Sequence, residues 1–167
     1  MQVPGIPANE AERIQVLQDL LILDTDPEDR YDAITAYCRS RFTVKIVLIS
    51  LVDTNRQWFK SNCGLDASET SRDISFCGHA ILSDDILEIP DALDDIRFQD
   101  NPLVLGYPHI RFYAGAPLKL SSGHAIGTLC LIDSKPKHMA GEEKRHLKTL
   151  AHTVVMEIES GRASLPG

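Results

Sequence analysis

The chain lacks a run of roughly 18 apolar residues, the length a membrane-crossing helix needs, so no such helix is expected. It lacks an excess of basic residues. Lys and Arg number 17 against 24 Asp and Glu, for a net charge of −7. That balance argues against nucleic acid or an anionic membrane as partner, since both select a basic surface. It lacks any CxxC pair: Cys38, Cys63, Cys77 and Cys130 are scattered. The opening "MQVPGIPANEAER" has neither a basic region nor an apolar centre, so no signal peptide is expected. The four thiols are then expected to be free in a cytoplasmic protein. There is no GxxxxGK[ST], HExxH or GxSxG, and no glycosidase-like carboxylate pair. Aromatics are scarce, at 6%, and Trp58 is the only tryptophan.

What is present is ordinary globular material: 167 residues, 43% apolar and 25% charged. A chain of this mass buries roughly 70% of its unfolded surface, enough for one core without disulfides. One domain is expected over 12–160, between a flexible arm (1–11) and a flexible tail (161–167). "NEAERIQVLQDLLIL" reads as a helix, with Asn9 and Glu12 spaced as a capping box. "DTDPEDRYDAITAYCRSRF" reads as a second helix, with Asp26 as its N-cap and Pro27 in its first position. The period then changes. Residues 44–53 are β-branched and apolar on both faces, as in a central strand. Residues 56–63 are its hairpin partner, with Arg56, Trp58, Lys60 and Asn62 on one face. Residues 64–73 read as loop, Ser75 caps a short helix over 76–83, and 85–92 holds a short strand. Residues 93–109 read as a long loop. Residues 110–120 and 125–133 form a second hairpin, with Pro117 at an edge or bulge. Residues 141–160 form the last helix.

This order predicts an α+β sandwich: an antiparallel sheet with the terminal helices on one face and residues 64–109 over the other. A sheet face roofed by loops commonly holds a ligand cavity.

Four segments in order, "ISLVDTNRQWFKS", "SFCGHAIL", "RFQDNPLVLGYPHIRFYAGAPL" and "GTLCLID", resemble the GAF domains of bacterial signalling proteins. The similarity extends to "RIQVLQDLLILDTDPEDRYDAIT" and covers residues 12–160. It is nearest to the subgroup often found before diguanylate cyclase or histidine kinase modules. The resemblance implies a central antiparallel six-stranded sheet, terminal helices on one face, and a small-molecule pocket on the other. It also implies a homodimer formed through those helices. Its ligand is not fixed by the fold. The family's cyclic-nucleotide branch carries an Asn-Lys-Phe-Asp-Glu set that is not found here. Neither a bilin-linkage motif nor haem is supported, so no cofactor is expected.

Within this frame the ligand-binding candidates are Trp58, Lys60, Phe76, His79, Asp94, Arg97, Phe98, Arg111 and Tyr113. Arg97 and Arg111 suggest an anionic small molecule, since a guanidinium grips a carboxylate or phosphate with two parallel bonds. The competing reading pairs Arg97 with a neighbouring aspartate and places the aromatics in the core. Cys77 and His79 sit two apart, about 200° around a regular helix, so they do not converge on one ligand. A metal site needs about four ligands, and none is expected here. Cys77 reads as a core thiol or as a reactive one at a helix start. Two alternatives to a non-catalytic sensor stay open. One is a thiol-dependent free methionine sulfoxide reductase using Cys77 and Cys63. The other is a ligand-free dimerisation module.

Overall fold

The change of period at residue 44 marks where helices give way to the sheet. A computed structural model describes residues 1–163. Two helices open it, α1 (Glu10–Asp19) and α2 (Asp29–Phe42). The strands are β1 (Ile46–Val52), β2 (Arg56–Cys63), β3 (Glu69–Ser71), β4 (Leu87–Ile89), β5 (Phe112–Lys119) and β6 (Ala125–Asp133). Between β3 and β5 lie two short helices, α3 (Phe76–Ala80) and α4 (Pro102–Leu105), and α5 (Gly141–Ala163) closes the fold. The strands form one sheet in the order β3-β2-β1-β6-β5-β4, and every neighbouring pair is antiparallel. β1 is central, as its two apolar faces predict, and β5 carries its irregularity at Pro117.

The faces are sorted by alternation along each strand. Val47, Ile49 and Leu51 of β1 face the back. There they pack with Phe112, Ala114, Ala116 and Leu118 of β5 under Leu17, Tyr31, Cys38, Leu147 and Val154 of the helices. Leu48 and Val52 face the front, with Phe59, Tyr113, Cys130 and Ile132, beneath Phe76, Phe98 and Val104 of the cover. Ile110 also belongs to the front cluster, not to the Phe112 row, because β5 begins only at Phe112.

Several local expectations are corrected. The capping box does not form: Asn9 makes no side-chain cap bond. Asp26 does not cap α2, which starts at Asp29 after Glu28. Lys60 explains the delay. Its Nζ donates to the Asp26 carbonyl (2.6 Å) and pairs with the Glu28 carboxylate (2.7 Å), holding residues 26–28 outside the helix. β3 and α4 fall in segments expected to be loop. β3 is only three residues long, below the length at which alternation shows, and α4 is a single turn capped by the Asn101 side chain onto the Leu103 N–H. The cap on α3 stands as read, with Ser75 Oγ accepting from Gly78 N–H at 3.0 Å.

The arm expected to be loose lies along the cover. Pro4 is buried, and the Gln2 N–H donates to the Arg97 carbonyl at 3.0 Å. Gly78 makes this approach possible, because a Cβ there would come 2.9 Å from the Pro4 ring. The tail expected at 161–167 lies largely outside the described residues.

Candidate functional site

The front of the sheet is closed by a stack of aromatics. Phe76, from the first turn of α3, lies over Phe98 with ring centroids 4.3 Å apart, and Tyr113 of β5 meets Phe76 at 5.1 Å. His79 meets the Phe98 edge at 4.8 Å. Four predicted site residues, Phe76, His79, Phe98 and Tyr113, are thus brought together. They leave a cavity of about 20 Å³, lined by Leu48, Gln57, Phe59, Cys77, Tyr113 and Cys130 among others. That is space for about one water. A wider groove of about 390 Å³ lies between α1 and the β5–β6 turn, lined by Val16, Leu20 and Leu120, and holds none of the predicted residues.

The other five sit elsewhere. Trp58 and Lys60 do share a face, but it is the back. Trp58 packs in the helix-side core, and Lys60 Nζ reaches Thr25, Asp26 and Glu28. Trp58 pairs with the back-facing Leu51, and Lys60 follows it by alternation; a β-bulge then breaks the alternation. Ser61 pairs with Ile49 and Phe59 with Ser50, so Lys60 is the extra residue between them. Lys60 and Ser61 both turn to the back, where Ser61 Oγ meets Thr35 and Asp32, while Asn62 turns forward to the Ala67 carbonyl. Asp94 is exposed beside the cover. Arg97 is held by Asp95 through Nε (3.0 Å) and Nη2 (2.8 Å), with the guanidinium stacked on Phe98. Its fork is therefore occupied by a local carboxylate, which Arg97 in turn holds below its usual pKa. Arg111 precedes β5 and donates to the Val104 and Ile110 carbonyls, fastening α4. Neither arginine points into the cavity with a free fork.

Cys77 and His79 diverge, as i and i+2 on a helix must. His79 Nε2 lies 3.1 Å from the Gln2 carbonyl, on the arm, and burial lowers its pKa. Cys77 points down at the sheet. Its Sγ lies 3.0 Å from Thr128 Oγ1 and accepts from the Tyr113 hydroxyl at 3.3 Å. Gly115 lets the Tyr113 ring lie along β5 to reach it, since a Cβ at 115 would run into that ring. Cys130, two residues beyond Thr128 on the same face of β6, lines the same small cavity as Cys77. Burial pushes the Cys77 thiol up, but the polar groups around its sulfur, Thr128 and Tyr113 among them, outweigh that and the net shift is downward. Burial and the adjacent Cys77 push Cys130 the other way.

Cys63 is not part of this cluster. It stands at the end of β2, paired with Val47, and accepts from Arg39 Nη1 at 3.9 Å. A reductase that resolves Cys77 with Cys63 is not what this arrangement supports. Cys130 is the partner that sequence reading missed. It is two residues from Thr128 in an otherwise apolar strand, and only the placement of α3 over β6 reveals it.

One more buried group escaped the sequence. Arg13 of α1 and Arg72, in the turn before α3, are both buried, and Glu10 joins them. Glu10 Oε1 and Oε2 accept from Arg72 at 3.0 and 2.8 Å, and Oε1 also meets Arg13 Nη2 at 2.5 Å. Arg13 Nη1 donates to the Val52 carbonyl (2.7 Å) and Arg72 Nη1 to the Asp53 carbonyl (3.0 Å). Glu10 thereby ties the first helix, the β1–β2 turn and the cover together. Burial raises the Glu10 pKa, but the two arginines outweigh it and the net shift is downward.

Among the described residues, no group of His, Cys, Asp and Glu is arranged to hold a metal, and no helix is long and apolar enough to cross a membrane.

A family model described as the GAF domain matches residues 26–158. A cyclic di-GMP phosphodiesterase of Pseudomonas aeruginosa is 39% identical over 165 residues, covering 98% of this chain and 28% of that protein. The chain thus spans less than a third of the curated relative it matches. Among solved structures, the GAF domain of a phosphoenolpyruvate-protein phosphotransferase from Coxiella burnetii superposes with a TM-score of 0.69 at 17% identity, covering 93% of this chain and 98% of that one. The free methionine-R-sulfoxide reductase of Neisseria meningitidis, solved with its substrate, gives 0.68 at 17% identity, covering 99% and 100%. At such identities the likeness speaks for the fold and not for chemistry. Sheet order, helix placement and the matched segment agree, and the chain belongs to the GAF domain family.

Proposed function

We propose that this domain is a regulatory, non-catalytic sensor of a bacterial signalling protein, in which a small molecule taken up under the front cover biases the terminal helices. The observation that carries the reading is the Glu10 bridge: the turn that leads into α3 and the helix that opens the fold share one carboxylate. The identity to the Pseudomonas phosphodiesterase supports a place beside an output module that turns over cyclic di-GMP. The expected neighbour therefore includes a phosphodiesterase as well as the cyclase or kinase modules anticipated from sequence.

The remaining cavity, about 20 Å³, is too small for an amino acid or nucleotide. A ligand must lift the Phe76–Phe98 stack or the Leu103–Pro108 segment to enter. Uptake is then linked to cover opening, which is the differential affinity that a switch requires. Thermal-shift screening against amino acids, nucleotides, and small carboxylates and phosphates tests this. One class is expected to raise the melting temperature, since a ligand at 100 times its Kd adds about 2.7 kcal/mol. No rise with any class would overturn the sensing reading. It would leave the second one, a ligand-free pairing module, which the filled front also suits.

A further inference from the structure

Three of the four thiols have evident surroundings. Cys38, on the inner face of α2, is sealed in the helix-side core, and burial pushes it up to about 12. Cys63 is partly exposed at a strand end. Cys130 is one half of a couple, and Cys77 is the other. Packing alone does not call for the arrangement around Cys77. A core thiol needs no donors, yet the Tyr113 and Thr128 hydroxyls converge on this sulfur at 3.3 and 3.0 Å, and Gly115 is shaped to admit the tyrosine. Tyr113 donates to the sulfur, and once Cys77 is ionised the Thr128 hydroxyl can only donate as well, so both stabilise a thiolate. A second thiol, Cys130, lies on the strand below, where α3 packs on β6, and both cysteines line the one small cavity.

We propose that Cys77 and Cys130 form an oxidisable pair whose co-reactant is a small hydroperoxide, and that oxidation joins α3 to β6 by a disulfide. In the first step the Cys77 thiolate attacks the distal peroxide oxygen. An S–O bond forms, the O–O bond breaks, and the leaving alkoxide or hydroxide takes up the proton that Cys77 gave up on ionising, to become alcohol or water. Cys77 is then a sulfenic acid. In the second step the Cys130 sulfur attacks the Cys77 sulfur. An S–S bond forms, the S–O bond breaks, and the departing hydroxide takes the Cys130 proton as water. Two thiols lose two electrons and the peroxide gains them. Cys130, held as a thiol by burial and by its neighbour, supplies the proton. A cavity near the size of one water favours hydrogen peroxide over bulky peroxides. The bond would pin the cover at Cys77, next to Phe76 of the closing stack.

The test uses the full chain. Purified, reduced protein is exposed to a tenfold excess of hydrogen peroxide, alkylated, digested without reductant, and mapped by mass spectrometry. The expected result is a peptide pair linked through Cys77 and Cys130, removed by dithiothreitol, and formed before Cys63 is modified. Modification of Cys63 with Cys77 and Cys130 left alkylatable would overturn the proposal. So would over-oxidised Cys77 with Cys130 still free, which would remove the pairing. A Cys63→Ser variant, altered only at the partly exposed thiol, is expected to give the same linked peptide. Loss of the link in that variant would implicate Cys63 and also overturn the proposal.

Discussion

Lys60 carries a full charge to a place where its side chain is 0% exposed. The charge is tolerated because Thr25, Asp26 and Glu28 all accept from it. Truncation leaves those acceptors without their donor. Breaking a fully buried pair costs about 3–5 kcal/mol, and since Glu28 is 41% exposed, Lys60→Ala is expected to cost about 2 kcal/mol. The urea midpoint should fall with an unchanged slope. A null effect would mean that the loop before α2 does not depend on this lysine. The residue also shows where reading from sequence stops. In "RQWFKSNC" the alternation is visible and sets Lys60 beside Trp58, but nothing in it marks the insertion that turns Ser61 to the back and Asn62 to the front. Tyr113 and the aromatics of the cover were legible because apolar anchors in a loop have few places to go. For Arg97 the competing reading, a bond to a neighbouring aspartate, is the one whose partner the structure shows, and Arg111 likewise bonds nearby carbonyls. An arginine beside "DD" and a chain turn has local acceptors at hand, and local bonds need no ligand.

At the scale of elements, the Glu10 bridge joins α1 to the cover around the edge of the sheet. Glu10→Gln removes the one carboxylate that serves two buried guanidinium groups. With Glu10 itself 21% exposed, the expected loss lies between the surface and buried limits, about 2 kcal/mol. The pH dependence follows from the lowered Glu10 pKa. Its stabilisation is fully present above the unfolded value near 4.5 and is lost as pH falls through the lower folded value. Wild type should therefore lose more stability than Glu10→Gln between about pH 5 and 3, measured by chemical denaturation at each pH. Equal losses would show that the bridge contributes nothing in solution. The helices and long strands were legible because their periods run for seven or more residues. β3 and α4 were not, since each is too short to show a period and exists only through its neighbours.

At the scale of the molecule, the back helices present an apolar edge. Met156 on α5 is 58% exposed, beside Val155, Leu120 and His152, along a groove of about 550 Å³. Pairing of two copies through the terminal helices predicts that Met156→Glu lowers the mass seen by size-exclusion chromatography with light scattering from dimer to monomer. A wild type already monomeric at high concentration would remove the pairing. The layered plan itself was legible from the order of elements. The closure of its front was not, because the volume left between packed rings is set by rotamers and not by sequence order. One consequence follows from the two faces being packed separately. β1 and β6 form a wall with apolar packing on both sides, and that packing carries no directed bond from one side to the other. The polar links between the cover and the outer helices lie round the rim, at Glu10 and at the Lys144–Glu88 and Lys148–Asp85 pairs. Communication in this domain is a property of its margin, while its durability is a property of its middle.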